Sequence, residues 1–423
     1  MLSALKKLDS FSKNIILVFS VSSISNFVNL LYQLCMAHAF TASNFAGLNA
    51  LISAIAIFAA PWATLQLGVA KYCAQFNARG QNGDIRALLS DLTKKSLLIG
   101  AAITVLYVIF SSFFLNFLRL PSAASGYVLA GMCILMIVVP VLAGALQGLE
   151  FFRWFSLGSL LGTISKLSVS LLFVAWGFGI TGALGGLLVA SAVLVFIYGN
   201  ALKKYIAVSN AGSCPISYKE LAGYLFPVAI SNLCFMFLVN SDMILARHWF
   251  SPAESGYYSL GQMVGKIFLF LPGAISMVLF PRTAGLSAKA MDTRSTLKKS
   301  LIYTGFLCIL AVFLYNAAPG LVLKVLTGKV SREAIELGRL FSISMTLYTL
   351  GFVLITYFLS IKDFRFIKYL MFCTGIQCAG FMFFHKNPAQ IQLVMCAVAA
   401  CMLIINLMLA YRKTASVEAK KTT

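Results

Sequence analysis

A chain of 423 residues, 60% hydrophobic and 11% charged, with a mean hydropathy of +0.90, is far too apolar for a water-soluble domain, where charged residues make up about a quarter. Its formal net charge of +21 would suit nucleic acid if Lys and Arg formed patches among exposed aromatics. They sit instead between apolar runs, which excludes nucleic-acid binding and leaves the charge to fix orientation in a lipid bilayer.

Apolar runs near the roughly 20 residues needed to cross hydrocarbon predict an all-α, polytopic membrane protein. The spans are expected over 14–36, 45–70, 96–117, 126–146, 157–177, 180–200, 222–246, 257–280, 300–320, 338–360, 366–384 and 390–410. Lys6, Lys7 and Lys13 before the first run imitate a secretory signal. That run is too long, lacks a small-residue cleavage site and is punctuated by Asn, so it is read as a spanning helix. Between the sixth and seventh runs lies a polar segment with Ser209-Asn210-Ala211-Gly212-Ser213 and Pro215, a turn-rich linker. It divides the chain into an N-terminal six-helix lobe (1–202), a linker (203–221) and a C-terminal six-helix lobe (222–423).

Loops on the side of both termini carry the basic clusters, among them Lys94-Lys95, Lys203-Lys204, Lys298-Lys299 and Lys420-Lys421. The other loops hold only Arg119, Arg247, Lys324, Lys329, Arg332, Arg339 and Lys386. Both termini are therefore expected in the cytoplasm. No loop is long enough to fold as a separate catalytic domain.

The two halves share landmarks in the same order. Ile24-Ser25-Asn26, Phe40, Gly47, Pro61 and Lys71 are matched by Ile230-Ser231-Asn232, Phe250, Gly256, Pro272 and Arg282, and Lys94-Lys95-Ser96-Leu97 recurs as Lys298-Lys299-Ser300-Leu301. Such ordered matches mark two copies of one unit. Six spans per copy is an even number, so the copies are expected to be parallel.

Polar residues inside spans need a reason, because a charge at the bilayer centre costs at least about 2.5–3.5 kcal/mol unless paired or hydrated. The first span sets Ser22, Asn26, Asn29 and Gln33 on one helix face. The seventh carries Ser231 and Asp242 on one face, flanked by Asn232 and Asn240, and the eighth carries Ser259, Gln262 and Lys266. With Lys166 in the fifth span, these groups are expected to line one hydrophilic chamber between the halves. Interhelical gluing is the alternative for each amide, and snorkelling to an interface is the alternative for each Lys. Two Lys against one Asp make the chamber weakly cationic, suited to an anionic group such as phosphate or pyrophosphate carried by a lipid or sugar. Asp242 is read either as a structural partner of Lys266 or as a group that takes up a proton or sodium. Glu150 and Arg153 are expected to pair at a helix end.

No enzyme constellation competes. His38, His248 and His385 lie near span edges, away from Cys or carboxylate clusters of catalytic spacing. No Gly-rich phosphate loop occurs, and the ten Cys show no metal-site spacing, so no cofactor or metal is expected. The Cys are read as core or lipid-facing residues.

The stretch Asn240-Ser241-Asp242-Met243-Ile244-Leu245, then Phe250-Ser251-Pro252-Ala253-Glu254-Ser255-Gly256-Tyr257-Tyr258-Ser259, then Pro272 and Leu279-Phe280-Pro281-Arg282, resembles the polysaccharide biosynthesis exporters of the multidrug/oligosaccharidyl-lipid/polysaccharide superfamily, which include Wzx-type O-antigen flippases. Ala42-Ser43-Asn44-Phe45-Ala46-Gly47-Leu48 and Leu67-Gly68-Val69-Ala70-Lys71-Tyr72 look like the amino-terminal signature of that family. The resemblance implies a MATE-like, two-lobed bundle in the bacterial inner membrane. Such a bundle would move an undecaprenyl-pyrophosphate-linked oligosaccharide, an O-antigen or capsule repeat unit, between leaflets by alternating access. The glycan, the bilayer and a glycan polymerase machinery are the partners this reading names.

On that reading Lys166 and Lys266 meet pyrophosphate or acidic sugar, Asn26, Asn29, Gln33, Asn232, Asn240 and Gln262 bind sugar, and Asp242 couples transport to an ion. An ion-coupled drug exporter on the same scaffold would need several membrane carboxylates. A membrane glycan polymerase would need a long outer loop bearing catalytic Arg or His.

Overall fold

The structure is a computed structural model that describes residues 10–120, 122–206, 218–270, 279, 283, 286 and 293–419. Most of the expected linker, the end of the eighth expected span, and the landmarks Pro272 and Pro281-Arg282 lie outside the described residues. The described residues form thirteen α-helices and no strands. They are α1 (Ser10–Ala39), α2 (Ala42–Ala78), α3 (Asn82–Phe117), α4 (Ala124–Gly148), α5 (Phe152–Ala175), α6 (Gly179–Ile206), α7 (Tyr218–Trp249), α8 (Pro252–Phe270), α9 (Arg294–Ala317), α10 (Pro319–Thr327), α11 (Arg332–Ser360), α12 (Phe366–Phe383) and α13 (Pro388–Ala419). Eleven of them are long and apolar enough to cross a membrane. α8 is described only to Phe270, short of the expected end of its span.

Hydroxyl caps set where several helices begin. Thr41 Oγ1 accepts the Asn44 N–H at 3.3 Å and opens α2. Ser251, in the matching place of the second half, opens α8 with a capping box: Glu254 N–H donates to Ser251 Oγ at 3.3 Å, and Ser251 N–H returns to Glu254 Oε2 at 3.0 Å. The Ser251 hydroxyl, which donates to Glu254 Oε2 at 2.7 Å, and then the Ser251 N–H hold the Glu254 carboxyl below the usual carboxylate range. The landmark phenylalanines before the two caps, Phe40 and Phe250, are both buried.

Ser331 Oγ accepts Ala334 N–H at 3.2 Å and starts α11. Ser331→Ala is expected to destabilise the protein by about 1 kcal/mol, visible as a lowered thermal midpoint in detergent; an unchanged midpoint would show that the cap is idle. The short α10 starts on Pro319 and stops at Gly328, whose φ of 69° is open to glycine at little strain.

Packing divides the chain into two compact units. The first holds Met1–Phe40 and Phe58–Ala229, the second Thr41–Ile57 and Ile230–Thr423. α2 thus gives its first turns to the second unit and its remainder to the first. α7 likewise changes membership between Ala229 and Ile230. Each of these helices contains a proline near the change, Pro61 in α2 and Pro227 in α7.

In the first unit α4 is the central helix. Val141, Leu142, Ala145 and Leu146 pack on Val69, Cys73, Leu89, Tyr198 and Leu202. Gly144 and Gly148, four apart on α4, face α2 so closely that a Cβ on Gly148 would stand 2.7 Å from Cys73 Cβ. Gln66 and Gln147 join across the same crossing at 3.1 Å. This is small-residue packing of the kind bilayers favour, where hydrophobicity cannot drive helices together. In the second unit α11 takes the central place, with Phe341, Met345, Tyr348, Val353 and Leu354 fully buried.

Outward stripes of large apolar side chains, such as Leu98, Ile109 and Phe113 on α3 and Phe306, Ile309 and Phe313 on α9, have a favourable environment only in lipid. Glu150 and Arg153 do not pair as expected: both are exposed, and Glu150 sits in the left-handed region with φ of 59° where α4 turns into the next helix. Two exposed side chains gain too little from a contact to hold one geometry.

Candidate functional site

In the first unit the sequence-predicted residues Asn29 and Lys166 come together. Lys166, near the middle of α5, donates from Nζ to Asn29 Oδ1 at 2.9 Å. The same ammonium lies 4.1 Å from the centroid of the Tyr32 ring. Asn29 and Tyr32 are three apart on α1 and so share a face. Tyr32 is fully buried, and its O–H donates to Ala183 O at 3.4 Å, a carbonyl that also receives Ser170 Oγ at 3.0 Å. α5 and α6 approach closely enough that a Cβ at Gly186 would stand 2.7 Å from the Lys166 carbonyl oxygen.

A hydrogen bond to a charged group contributes about 1.5–3 kcal/mol, and a half-buried cation–π contact about 0.5–2 kcal/mol. Together they match the cost of a mid-bilayer cation, so the ammonium is held where it is and does not have to snorkel. Beside it α4, α5 and α6 line an open-sided cavity of about 240 Å³, walled in part by Ser159, Thr163, Lys166, Ser191 and Tyr198. At about 30 Å³ per water this is room for about eight waters. Asn26 is exposed and Gln33 half-buried on α1; neither hydrogen-bonds to another described residue.

The second unit buries a carboxylate network. Asp242 on α7 has no solvent exposure. Its Oδ2 accepts Tyr258 O–H at 2.9 Å and Gln262 Nε2 at 3.3 Å; Tyr258 and Gln262 are one turn apart on α8. Gln392 Nε2 of α13 donates to the Tyr258 oxygen at 2.6 Å, and Ser344 Oγ of α11 donates to Gln392 Oε1 at 3.1 Å. One turn along α11, Tyr348 O–H donates to Gln377 Oε1 at 2.6 Å. Gln377 Nε2 then reaches back to Leu238 O on α7 at 2.9 Å.

Lys266 is half-buried and interacts electrostatically with Asp242. No described residue receives a hydrogen bond from it, and the direct partners of Asp242 are Tyr258 and Gln262. Asn240 turns its amide to Met236 O on its own helix at 2.9 Å, and Asn232 is half-buried one face over. Some polar capacity stays open among the described residues: Gln262 Oε1, Asn49 Oδ1, Ser53 Oγ and Ser231 Oγ are buried without a hydrogen-bond partner.

Sequence reading passed over Tyr32, Tyr258, Ser344 and Gln392. Tyr258 and Gln262 carried a signal in their one-turn spacing, and Tyr32 in its position between Asn29 and Gln33. Gln392, with Gln390 two residues before it, lies at the edge of an apolar run and gave none. Of the three histidines, His385 stacks on Trp249 with centroids 4.4 Å apart and His38 bonds to Leu34 O in its own helix.

The fold is that of multi-pass membrane transporters. A solved MATE-family multidrug resistance transporter of the MOP superfamily is similar over 96% of this chain and 99% of that one, with a TM-score of 0.77 at 14% identity. The lipid II flippase MurJ is similar over 94% of this chain and 87% of that one, with a TM-score of 0.71 at 12% identity. At the level of sequence, the chain belongs to the polysaccharide biosynthesis protein family, whose profile matches residues 11–287. A Shigella flexneri protein described as an O-antigen transporter is 20% identical over 230 residues, which are 53% of this chain and 55% of that relative. The match thus spans about half the length of that curated relative.

Proposed function

We propose that the chain carries a polyprenyl-pyrophosphate-linked oligosaccharide across the cytoplasmic membrane by alternating access. Lys166 and Lys266 meet the acidic part of the cargo. Asn26, Gln33 and the other span amides bond its hydroxyls, and Asp242 couples movement to a proton or sodium gradient. The reading is supported by membership of a polysaccharide biosynthesis family, and the observation that carries it is the Lys166 ammonium clamped by Asn29 and Tyr32 at the wall of a cavity of about 240 Å³. A cation maintained at that depth against its desolvation cost is expected to work on an anion.

Lys166→Ala is expected to lower surface glycan by at least about tenfold, the scale of one hydrogen bond to a charged group. Lipid-linked units should accumulate on the cytoplasmic leaflet, and Lys166→Arg should retain most of the glycan. Equal surface glycan in Lys166→Ala and unaltered cells, at matched protein levels, would remove Lys166 from transport.

A further inference from the structure

The cavity beside Lys166 is rich in acceptors and poor in donors, and that imbalance selects a ligand. Thr163 Oγ1 gives its proton to Ser159 O at 2.7 Å, Ser191 Oγ to Leu187 O at 3.0 Å and Tyr198 O–H to Phe155 O at 3.1 Å. All three oxygens have their protons turned onto backbone carbonyls: Thr163 and Ser191 by the local bond to the preceding turn that helical Ser and Thr readily make, Tyr198 by a bond across from α6 to α5. Each offers only lone pairs to whatever enters. The donors are the Ser159 hydroxyl, which no described residue engages, and the Lys166 ammonium. One N–H of that ammonium goes to Asn29 and the Tyr32 ring covers another side, so a third proton remains for a guest.

A pyrophosphate fits this wall badly. It carries acceptors alone and would set its oxygens against three lone-pair oxygens, with one cation and the Ser159 hydroxyl to offset them. A carboxylated sugar fits it well: one carboxylate for the ammonium, and several hydroxyl protons for Thr163, Ser191 and Tyr198. The volume of about 240 Å³, about eight waters, is of the size of a single pyranose with its substituents.

We propose that the cavity between α4, α5 and α6 is a subsite for an acidic monosaccharide, bound through its carboxylate at Lys166 and its hydroxyls at Thr163, Ser191 and Tyr198, and that the pyrophosphate of the cargo is held elsewhere. The inference rests on the reading of the chain as a carrier of lipid-linked glycan and narrows which part of the cargo the first unit recognises.

The test is equilibrium binding of radiolabelled D-glucuronate to the full-length protein in lipid nanodiscs, with unlabelled glucuronate, D-glucose and inorganic pyrophosphate as competitors. Glucuronate should compete at least about tenfold better than glucose or pyrophosphate, the discrimination expected of one charge-assisted hydrogen bond. Lys166→Ala should lose that binding while Lys166→Arg keeps it. Thr163→Val, which exchanges one acceptor for a methyl in nearly the same volume, should weaken glucuronate several-fold and covers the case in which Lys166→Ala fails to fold.

Pyrophosphate competing as well as glucuronate, or glucuronate binding unchanged in both Lys166→Ala and Thr163→Val, would overturn the subsite. Flipping of lipid-linked glycan by a protein that binds no glucuronate sinks the subsite and leaves the carrier reading standing. Glucuronate binding without any flipping does the reverse.

Discussion

Asp242→Asn is expected to fold as well as the unaltered protein and to lose gradient-driven transport. The buried network explains how both can hold. Asparagine keeps one oxygen to accept the Tyr258 O–H, now 2.9 Å from the carboxylate. Its new NH₂ can donate to Gln262 Oε1, which is buried without a partner, after a small rotation of that amide. Every hydrogen bond at the site can then be made, so stability should stay within about 1 kcal/mol, the worth of one net hydrogen bond. What asparagine cannot do is bind and release a proton or hold a cation by charge.

Asp242→Ala is the contrasting case. It strands the Tyr258 hydroxyl and the Gln262 amide in a site with no solvent, at about 1–3 kcal/mol for each buried group left unsatisfied. Thermal unfolding in detergent separates the two variants. Flipping by proteoliposomes, with and without proton and sodium gradients, then reads coupling in the one that folds. Gradient-stimulated flipping by Asp242→Asn at the rate of the unaltered protein would dismiss Asp242 as the coupling group.

Gly148→Val should be the most damaging substitution outside the polar sites. A Cβ at this position would already crowd the Ala70 carbonyl and stand 2.7 Å from Cys73 Cβ and 3.0 Å from Ala74 N. These neighbours are mostly backbone, which cannot move aside as a flexible side-chain end can. Valine adds two methyl groups to that conflict, forcing α4 away from α2 and pulling Gln147 from Gln66. Overpacking of this kind costs about 1–3 kcal/mol, occasionally more, and here it falls on the crossing that organises the first unit. The expected result is a sharply reduced yield of monodisperse protein in size-exclusion chromatography. Gly199→Val, where a Cβ meets nothing within 4 Å, serves as the control. Equal yields from the two would mean that the close approach of α2 and α4 is not what holds the unit together.

Hydropathy read the membrane-crossing stretches well and the helices less well, for a definable reason. It reports which residues suit hydrocarbon, not where backbone hydrogen bonding stops. The third helix was expected from residue 96 but begins at Asn82, because Asp91 and Lys95, one turn apart and paired at 2.9 Å, continue it in the polar layer. α10 falls almost wholly between the expected spans 300–320 and 338–360, since its nine residues are far short of a span. Its Pro319 start and Gly328 stop were nevertheless legible signals.

At the polar sites, single residues were legible and pairings were not. Lys166 and Asn29 stood out because charge and amide are costly in lipid, yet they are 137 residues apart and nothing in one sequence joins them. Tyr32 and Tyr258 were hidden among other aromatics, whose apolar bulk masks the hydroxyl that makes them useful. The buried partners of Asp242 were likewise out of view, and Lys266 drew attention because its charge is conspicuous in sequence.

α2 and α7 each begin in one compact unit and finish in the other, so any cycle that reorients the units must deform both helices. In α2 the joint is softened by Pro61, which has no N–H to offer the Ile57 carbonyl four residues earlier, the last residue counted with the second unit. In α7, Pro227 stands in the same relation to Gly223, just ahead of the change at Ile230. On the alternating-access reading proposed above, these two prolines mark where the shared helices would bend. Stiffening an elbow by exchanging its proline for alanine should slow turnover while leaving cargo affinity alone.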